Sequence, residues 1–131
     1  MNINKFYALF LILGSCTVHS GEYCGSHSAM GHWVPDEFST PMSYKSAYFG
    51  RACFAHDVCY QSRGADKSFC DAQFEQHLRY ECDLAYTNAM DLPSKLACYG
   101  AAGGFTAAVR QFGDRYFERS QIEPSLLYWR P

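Results

Sequence analysis

The residues best suited to do chemistry lie in Ala52-Cys53-Phe54-Ala55-His56-Asp57-Val58-Cys59-Tyr60, where adjacent His56 and Asp57 stand between two cysteines. On a helix, residues three or four apart share a face, so Cys53, His56, Cys59 and Tyr60 line up together. Asp57 lies about 100° round from His56 and addresses a different site. An imidazole titrates near neutrality and can take a proton from water, best when a carboxylate holds its second nitrogen. Asp71 is the candidate for that carboxylate. Asp57, with loop carbonyls, supplies the oxygen donors that a hard cation such as calcium takes. Such a cation polarises an ester carbonyl and stabilises the oxyanion. No serine or thiol nucleophile is evident, since Gly25-Ser26 lacks a nucleophile-elbow context. Water activated by His56 is the simplest chemistry. The plainer reading of the same run is a disulfide-stapled helix with a polar edge.

These residues need elements to position them. Spacing predicts a first helix from about Tyr44 to Gln61, capped by Ser43 or Ser46, with Phe49, Ala52, Cys53, His56, Cys59 and Tyr60 as its inner stripe. Gly64 is its expected stop. A second helix begins near Ser68, with Ser68 and Asp71 as a variant capping box. Phe74, Leu78, Cys82 and Ala85 follow at helical spacing. The short turn over residues 62–67 makes the two helices antiparallel neighbours. Cys59 then faces Cys70, and Asp71 comes close to the level of His56. Pro93 separates a third helical region, about Ser94 to Arg119, with Cys98, Ala102, Phe105, Val109 and Phe112 inward. Gly103-Gly104 weakens it by roughly 1 kcal/mol per glycine. Residues 21–35 read as a loop in which Tyr23-Cys24-Gly25 forms a tethered turn. No strand shows sustained alternation, and at most a short hairpin fits residues 86–93. The apolar end, residues 124–131, is expected to pack back on the domain.

The totals bound the class. A chain of 131 residues suggests one domain. Residues 1–20 read as an export signal: Lys5, then an apolar run from Phe6 to Leu13 too short to span a bilayer. Residues 21–131 form the mature domain. Of the seven cysteines, Cys16 falls in the signal and six remain, which allow fifteen pairings. Export with an even mature count points to an oxidising compartment. No Cys-x-x-Cys pair exists to anchor zinc. A net charge of −2 gives no basic field for nucleic acid. The aromatic content of 17% serves a small core or a lipid interface equally well. Met30, Trp33 and Val34 divide in the same way between an interfacial rim and burial. For Cys16 two readings compete. Leu13-Gly14-Ser15-Cys16 resembles a lipobox, which would leave an acylated membrane anchor. A cut after Ser20 would release a free secreted protein, and the expectation leans to release.

Cys53-x-x-His56-Asp57-x-Cys59-Tyr60, with Cys70-Asp71 after it and Tyr23-Cys24-Gly25 before it, resembles the secreted phospholipase A2 superfamily over about residues 23–84. The resemblance implies a mainly α fold: a disulfide-linked antiparallel helix pair, a calcium loop and a third helix. It implies His56 as general base, Asp71 orienting it, Tyr60 supporting Asp71, and calcium held by Asp57 with the carbonyls of Tyr23, Gly25 and His27. It implies Cys24–Cys53 and Cys59–Cys70 disulfides, leaving Cys82 for Cys98. The implied reaction is calcium-dependent hydrolysis of the sn-2 ester of glycerophospholipids at a membrane surface. Ala52 stands where the vertebrate and venom enzymes have a second cysteine, no helix fits before the calcium loop, and His27 replaces a loop glycine. The first two departures, with three disulfides, resemble the short bacterial and fungal members.

Two other readings stand beside the enzyme. One is a non-catalytic binding or toxin protein on the same scaffold; the other is a structural module in which His56 and Asp71 form a buried polar pair. His56, Asp57, Tyr60 and Asp71 together favour the enzyme, and lipid hydrolysis in a calcium titration discriminates.

Overall fold

The structure is a computed structural model that describes Cys24 and residues 34–122. Among these residues the fold is mainly helical, with three disulfides and one small sheet. The signal segment with Cys16, the loop residues Tyr23, Gly25, His27, Met30 and Trp33, and the tail from Pro124 lie outside them. No helix among the described residues is long and apolar enough to cross a membrane.

Two three-residue strands, β1 (Glu37–Ser39) and β2 (Ser46–Tyr48), pair antiparallel with Phe38 opposite Ala47. They correct two expectations: the hairpin is here and not in residues 86–93, and the first helix does not begin at Tyr44. A three-residue strand shows only one alternation, here buried Ala47 between two more exposed neighbours, which periodicity cannot separate from a helix start. What decides it is pairing. The Phe49 N–H continues the extended run by donating to the Asp36 carbonyl at 2.6 Å, and the Phe49 ring stacks on Phe38 with centroids 5.8 Å apart.

Helix α1 (Gly50–Gln61) therefore starts at Gly50 with no side-chain cap, and neither Ser43 nor Ser46 serves. Its stripe of Ala52, Cys53, His56 and Tyr60 is buried. The turn that follows uses Gly64 at a φ of 74°, a conformation glycine adopts without steric penalty.

Helix α2 (Lys67–Ala85) is capped by Asp66 and not Ser68. Asp66 Oδ1 accepts both the Ser68 N–H at 2.9 Å and the Ser68 hydroxyl at 2.7 Å. Asp71 is thereby free of capping duty and turns inward. Phe74, Leu78 and Cys82 carry the buried face, with Ala85 partly buried beside it. The pairings 51 with 81, 56 with 71 and 59 with 70 run in opposite chain directions, so α1 and α2 are antiparallel.

The third helical region is two helices. Tyr86 is buried, a 3-10 turn follows at Ala89–Asp91, and α3 (Leu92–Phe112) takes Pro93 in its first turn, where a missing N–H costs nothing. Gly103-Gly104 do not break it. The break is at Gly113, before α4 (Asp114–Ile122). A Cβ on Gly113 would lie 2.9 Å from the Tyr60 hydroxyl and 2.4 Å from the Val109 carbonyl, so close approach demands glycine there. Phe112, expected inward, is exposed because the inner face of α3 runs through Cys98, Ala102, Thr106 and Val109.

The core is one cluster built on Phe49, Phe74, Leu78, Tyr86 and the half-cystines Cys24, Cys53, Cys82 and Cys98. Cys24–Cys53, Cys59–Cys70 and Cys82–Cys98 tie the loop to α1, α1 to α2, and α2 to α3. Closing a loop of about 15 residues contributes roughly 3 kcal/mol, and the two inter-helix bridges close spans of 11 and 16 residues.

Candidate active site

His56 and Tyr60 lie one turn apart on α1, and Lys67 and Asp71 one turn apart on α2. The Cys59–Cys70 bridge, with Cα atoms 5.7 Å apart, joins the residues immediately before Tyr60 and Asp71. The covalent clamp thus sits at the level of the four polar side chains and fixes their mutual register.

Asp71 is the hub. It is 1% exposed. Its Oδ1 lies 2.8 Å from His56 Nε2 and accepts the Tyr60 hydroxyl at 2.6 Å. Its Oδ2 accepts the Lys67 ammonium at 2.7 Å. Burial pushes the Asp71 carboxyl up, but donors from His56, Lys67 and Tyr60, with the charge of Lys67, outweigh it and leave the group below the ordinary carboxylate value. Tyr60 moves the other way. Burial, its bond to Asp71 and the Asp71 charge raise its hydroxyl far above the usual phenol, so it remains a donor.

An ionised carboxylate only accepts hydrogen bonds. Toward that carboxylate His56 donates from Nε2, and in the neutral ring the lone pair is then on Nδ1. That Nδ1 is buried and has no hydrogen-bond partner among the described residues. The ring is held on two other sides, by Tyr60 at a centroid distance of 4.1 Å and Phe74 at 4.6 Å. An imidazole with one nitrogen fixed on a carboxylate and the other left unpaired is an arrangement that can serve a general base.

Lys67 was not legible as part of this site. Its only signal is the i, i+4 spacing to Asp71, common on any helix surface. In the fold its ammonium also donates to the Val109 carbonyl at 3.0 Å and the Arg110 carbonyl at 3.4 Å, and stands 3.4 Å from Asp114 Oδ1. Helix α4 closes the same side: Phe117 meets the Tyr60 ring edge-on at 5.2 Å. The Gln121 amide donates to the Tyr60 and Ser62 carbonyls at 2.7 Å each and accepts the Gly64 N–H at 3.0 Å. Nothing local in the sequence marks Gln121 as a cap for a helix sixty residues earlier.

Of the other site candidates, Asp57 is half-buried on α1, and Tyr23, Gly25 and His27 lie outside the described residues. Cys24, between them, is buried and bridged to Cys53 with Cα atoms 5.2 Å apart, and its N–H donates to Asp36 Oδ1 at 2.8 Å. Cys53 is one helical turn before Asp57, so the tether brings the chain to the same stretch of α1. Among the described residues no group of three or more His, Cys, Asp and Glu side chains is clustered for a metal. The implied calcium set draws only one carboxylate from such residues and takes the rest from backbone carbonyls.

The chain matches no protein-family model, no curated protein and no solved structure.

Proposed function

We propose that the protein is a calcium-dependent phospholipase A2 of the short bacterial and fungal type, exported by residues 1–20 and acting on membrane phospholipid as a secreted enzyme. The observation that carries this reading is the buried His56–Asp71 pair with Nδ1 left without a hydrogen-bond partner among the described residues. The three disulfides and the absence of a membrane-crossing helix among the described residues are compatible with export.

The chemistry follows from that nitrogen. His56 Nδ1 accepts a proton from a water molecule as the water oxygen attacks the sn-2 ester carbonyl carbon. Nε2–H stays on Asp71, whose buried charge balances the imidazolium that forms. The ester C–O bond then breaks, and the proton on Nδ1 passes to the departing glyceryl oxygen. The products are a fatty acid and a lysophospholipid, and His56 returns to its neutral state. Tyr60 and Lys67 keep Asp71 ionised and aimed throughout.

The donors available for calcium are all oxygens: Asp57 and the carbonyls of Tyr23, Gly25 and His27. That chemistry fits a hard cation, and the Cys24–Cys53 tether supports a loop site beside Asp57. When bound, calcium polarises the ester carbonyl and supplies positive charge to the oxyanion.

The test is hydrolysis of phosphatidylcholine and phosphatidylglycerol vesicles across a calcium titration, with the released acyl chain identified by mass spectrometry. Saturable calcium dependence, loss of turnover in excess chelator and weakened calcium binding in Asp57→Asn are expected. Undiminished turnover in chelator would indicate a metal-free esterase. Vesicle binding without any hydrolysis would indicate the non-catalytic binding protein.

A further inference from the structure

We propose that Lys67 is a positioning residue for this hydrolysis: its ammonium locks one oxygen of Asp71 to the end of α3 so that the other is held for His56. The proposal rests on the hydrolytic reading of His56 and Asp71 given above.

The need is electrostatic and geometric. Asp71 carries its charge at 1% exposure, where an uncompensated carboxylate is costly. Its partners on α1 are a phenol and an imidazole. Lys67, with its side chain 17% exposed, is the cation against it. The terminal torsion of an aspartate is soft and roughly two-fold, so a carboxylate bonded through one oxygen can turn about that contact. In this site both oxygens are held, Oδ1 by His56 and Tyr60 from α1 and Oδ2 by Lys67 from its own helix. The plane of the carboxylate, and with it the direction of the His56 ring, is set from both sides.

Lys67 can hold Asp71 only if it is held itself. An ammonium has three N–H donors. One goes to Asp71, and the others are satisfied by the Val109 and Arg110 carbonyls. These belong to the last turn of α3, at the negative end of the helix dipole; the Val109 carbonyl accepts the Gly113 N–H at 2.8 Å as well. Lys67 therefore caps α3 and orients Asp71 with one group. Gly113 leaves room for the Tyr60 hydroxyl: a Cβ there would lie 2.4 Å from the Val109 carbonyl and 2.9 Å from that hydroxyl, with the Lys67 side chain at ordinary contact distance, 3.4 Å. Asp114, mostly exposed and 3.4 Å from the ammonium, adds little, as surface pairs do.

The experiment compares kcat and KM on phosphatidylcholine vesicles at saturating calcium for the wild type, Lys67→Met, Lys67→Gln, Asp71→Asn and the Lys67→Met/Asp71→Asn double variant. Asp91→Asn, which breaks an ion pair elsewhere, is the control. Rates are referred to the folded fraction measured by thermal unfolding. Lys67→Met is expected to lower kcat by up to roughly 10²-fold with KM little changed, the signature of a misaimed group. In the Asp71→Asn background the same change should have no further effect on kcat, because Lys67 acts through Asp71. The solvent exchange of the His56 Nε2 proton, followed by NMR, should accelerate in Lys67→Met and Lys67→Gln and not in Asp91→Asn. This readout serves whichever lysine variant folds and does not depend on turnover. Wild-type kcat in a folded Lys67→Met, equal losses with and without the Asp71 carboxylate, or unchanged proton exchange would each overturn the positioning role and leave the hydrolytic reading standing. A wild type that binds vesicles and hydrolyses nothing would overturn both.

Discussion

Two lysine–aspartate pairs of nearly equal length sit in different parts of the molecule. Lys67–Asp71 spans 2.7 Å and Lys45–Asp91 spans 2.6 Å. Both carboxylates are largely buried and both lie below the ordinary carboxylate value. For Asp91 the leading cause is the hydrogen bond from Lys45; for Asp71 it is a set of three donors overcoming burial. Around Asp91 the remaining partners are structural. Ser43 donates to its Oδ1 at 3.3 Å, the neighbouring Thr40 and Ser94 hydroxyls meet at 2.6 Å, and Tyr86 donates to the Lys45 carbonyl at 3.2 Å. That group fastens the β1–β2 connection to the start of α3. Around Asp71 one partner is an imidazole whose far nitrogen is open among the described residues. A buried ion pair is not itself a site. The chemistry lies in the atom left unsatisfied beside it.

The comparison breaks most sharply at His56. His56→Gln is expected to lower phospholipid hydrolysis by about 10²–10⁴-fold while the melting temperature stays near that of the wild type, because the glutamine amide can still donate to Asp71. Asp91→Asn should leave hydrolysis unchanged. Initial rates and circular-dichroism melts measure both, and equal activity losses in the two variants would erase the distinction.

Removing each carboxylate charge tests the structural half. Asp71→Asn leaves the Lys67 ammonium in a confined setting with two carbonyls and the mostly exposed Asp114 as partners, and is expected to cost roughly 2–4 kcal/mol in denaturant unfolding. Asp91→Asn acts at a pair closer to solvent and should shift the denaturation midpoint less.

A smaller effect tests the packing. Gly113→Ala forces a methyl against the Tyr60 hydroxyl and should destabilise by about 1–3 kcal/mol. Activity should fall with it, since Tyr60 is one of the groups holding Asp71. Full activity in a folded Gly113→Ala protein would show that Tyr60 can be displaced without consequence for the base.

The smallest effect concerns acid. Because the folded-state value of Asp71 is lowered from 3.8, its contribution to stability is fully present above that pH. It is lost as pH falls below it, through the folded value. Stability measured from pH 6 to pH 2 should fall less steeply in Asp71→Asn than in the wild type. An identical acid limb would mean that the carboxylate is not held below its ordinary value.

Much of the helical frame was legible because it rests on local rules. The stripe through Phe49, Cys53, His56 and Tyr60, and that through Phe74, Leu78 and Cys82, are periodic over several turns. A six-residue connector between them leaves the chain little choice but to double back. The errors fall where the deciding partner is distant or the element is short. Strand β2 is defined by pairing with residues seven or more positions away. The cap went to Asp66 over Ser68 because both types cap well, and only the fold turns Asp71 inward to His56. The long third helix breaks at Gly113 and not at Gly103-Gly104: a Cβ at Gly113 would meet the Val109 carbonyl and the Tyr60 hydroxyl, whereas one at Gly103 or Gly104 would meet nothing within 4 Å.

The sequence alone determined which groups could do chemistry, His56, Asp57, Tyr60 and Asp71, and the helical spacing that sets two of them on one face. It favoured the Cys59–Cys70 juxtaposition as well, since a short turn between antiparallel helices brings the two together. The tertiary structure added that Asp71 is shared by three donors, that Lys67 holds its other oxygen, and that Gln121 caps α1 from the far end of the described chain. The reason is physical. Periodicity and turn length act between residues close in sequence, whereas the protonation, aim and satisfaction of a buried side chain are set by whichever atoms the whole fold brings within 3 Å or so of it.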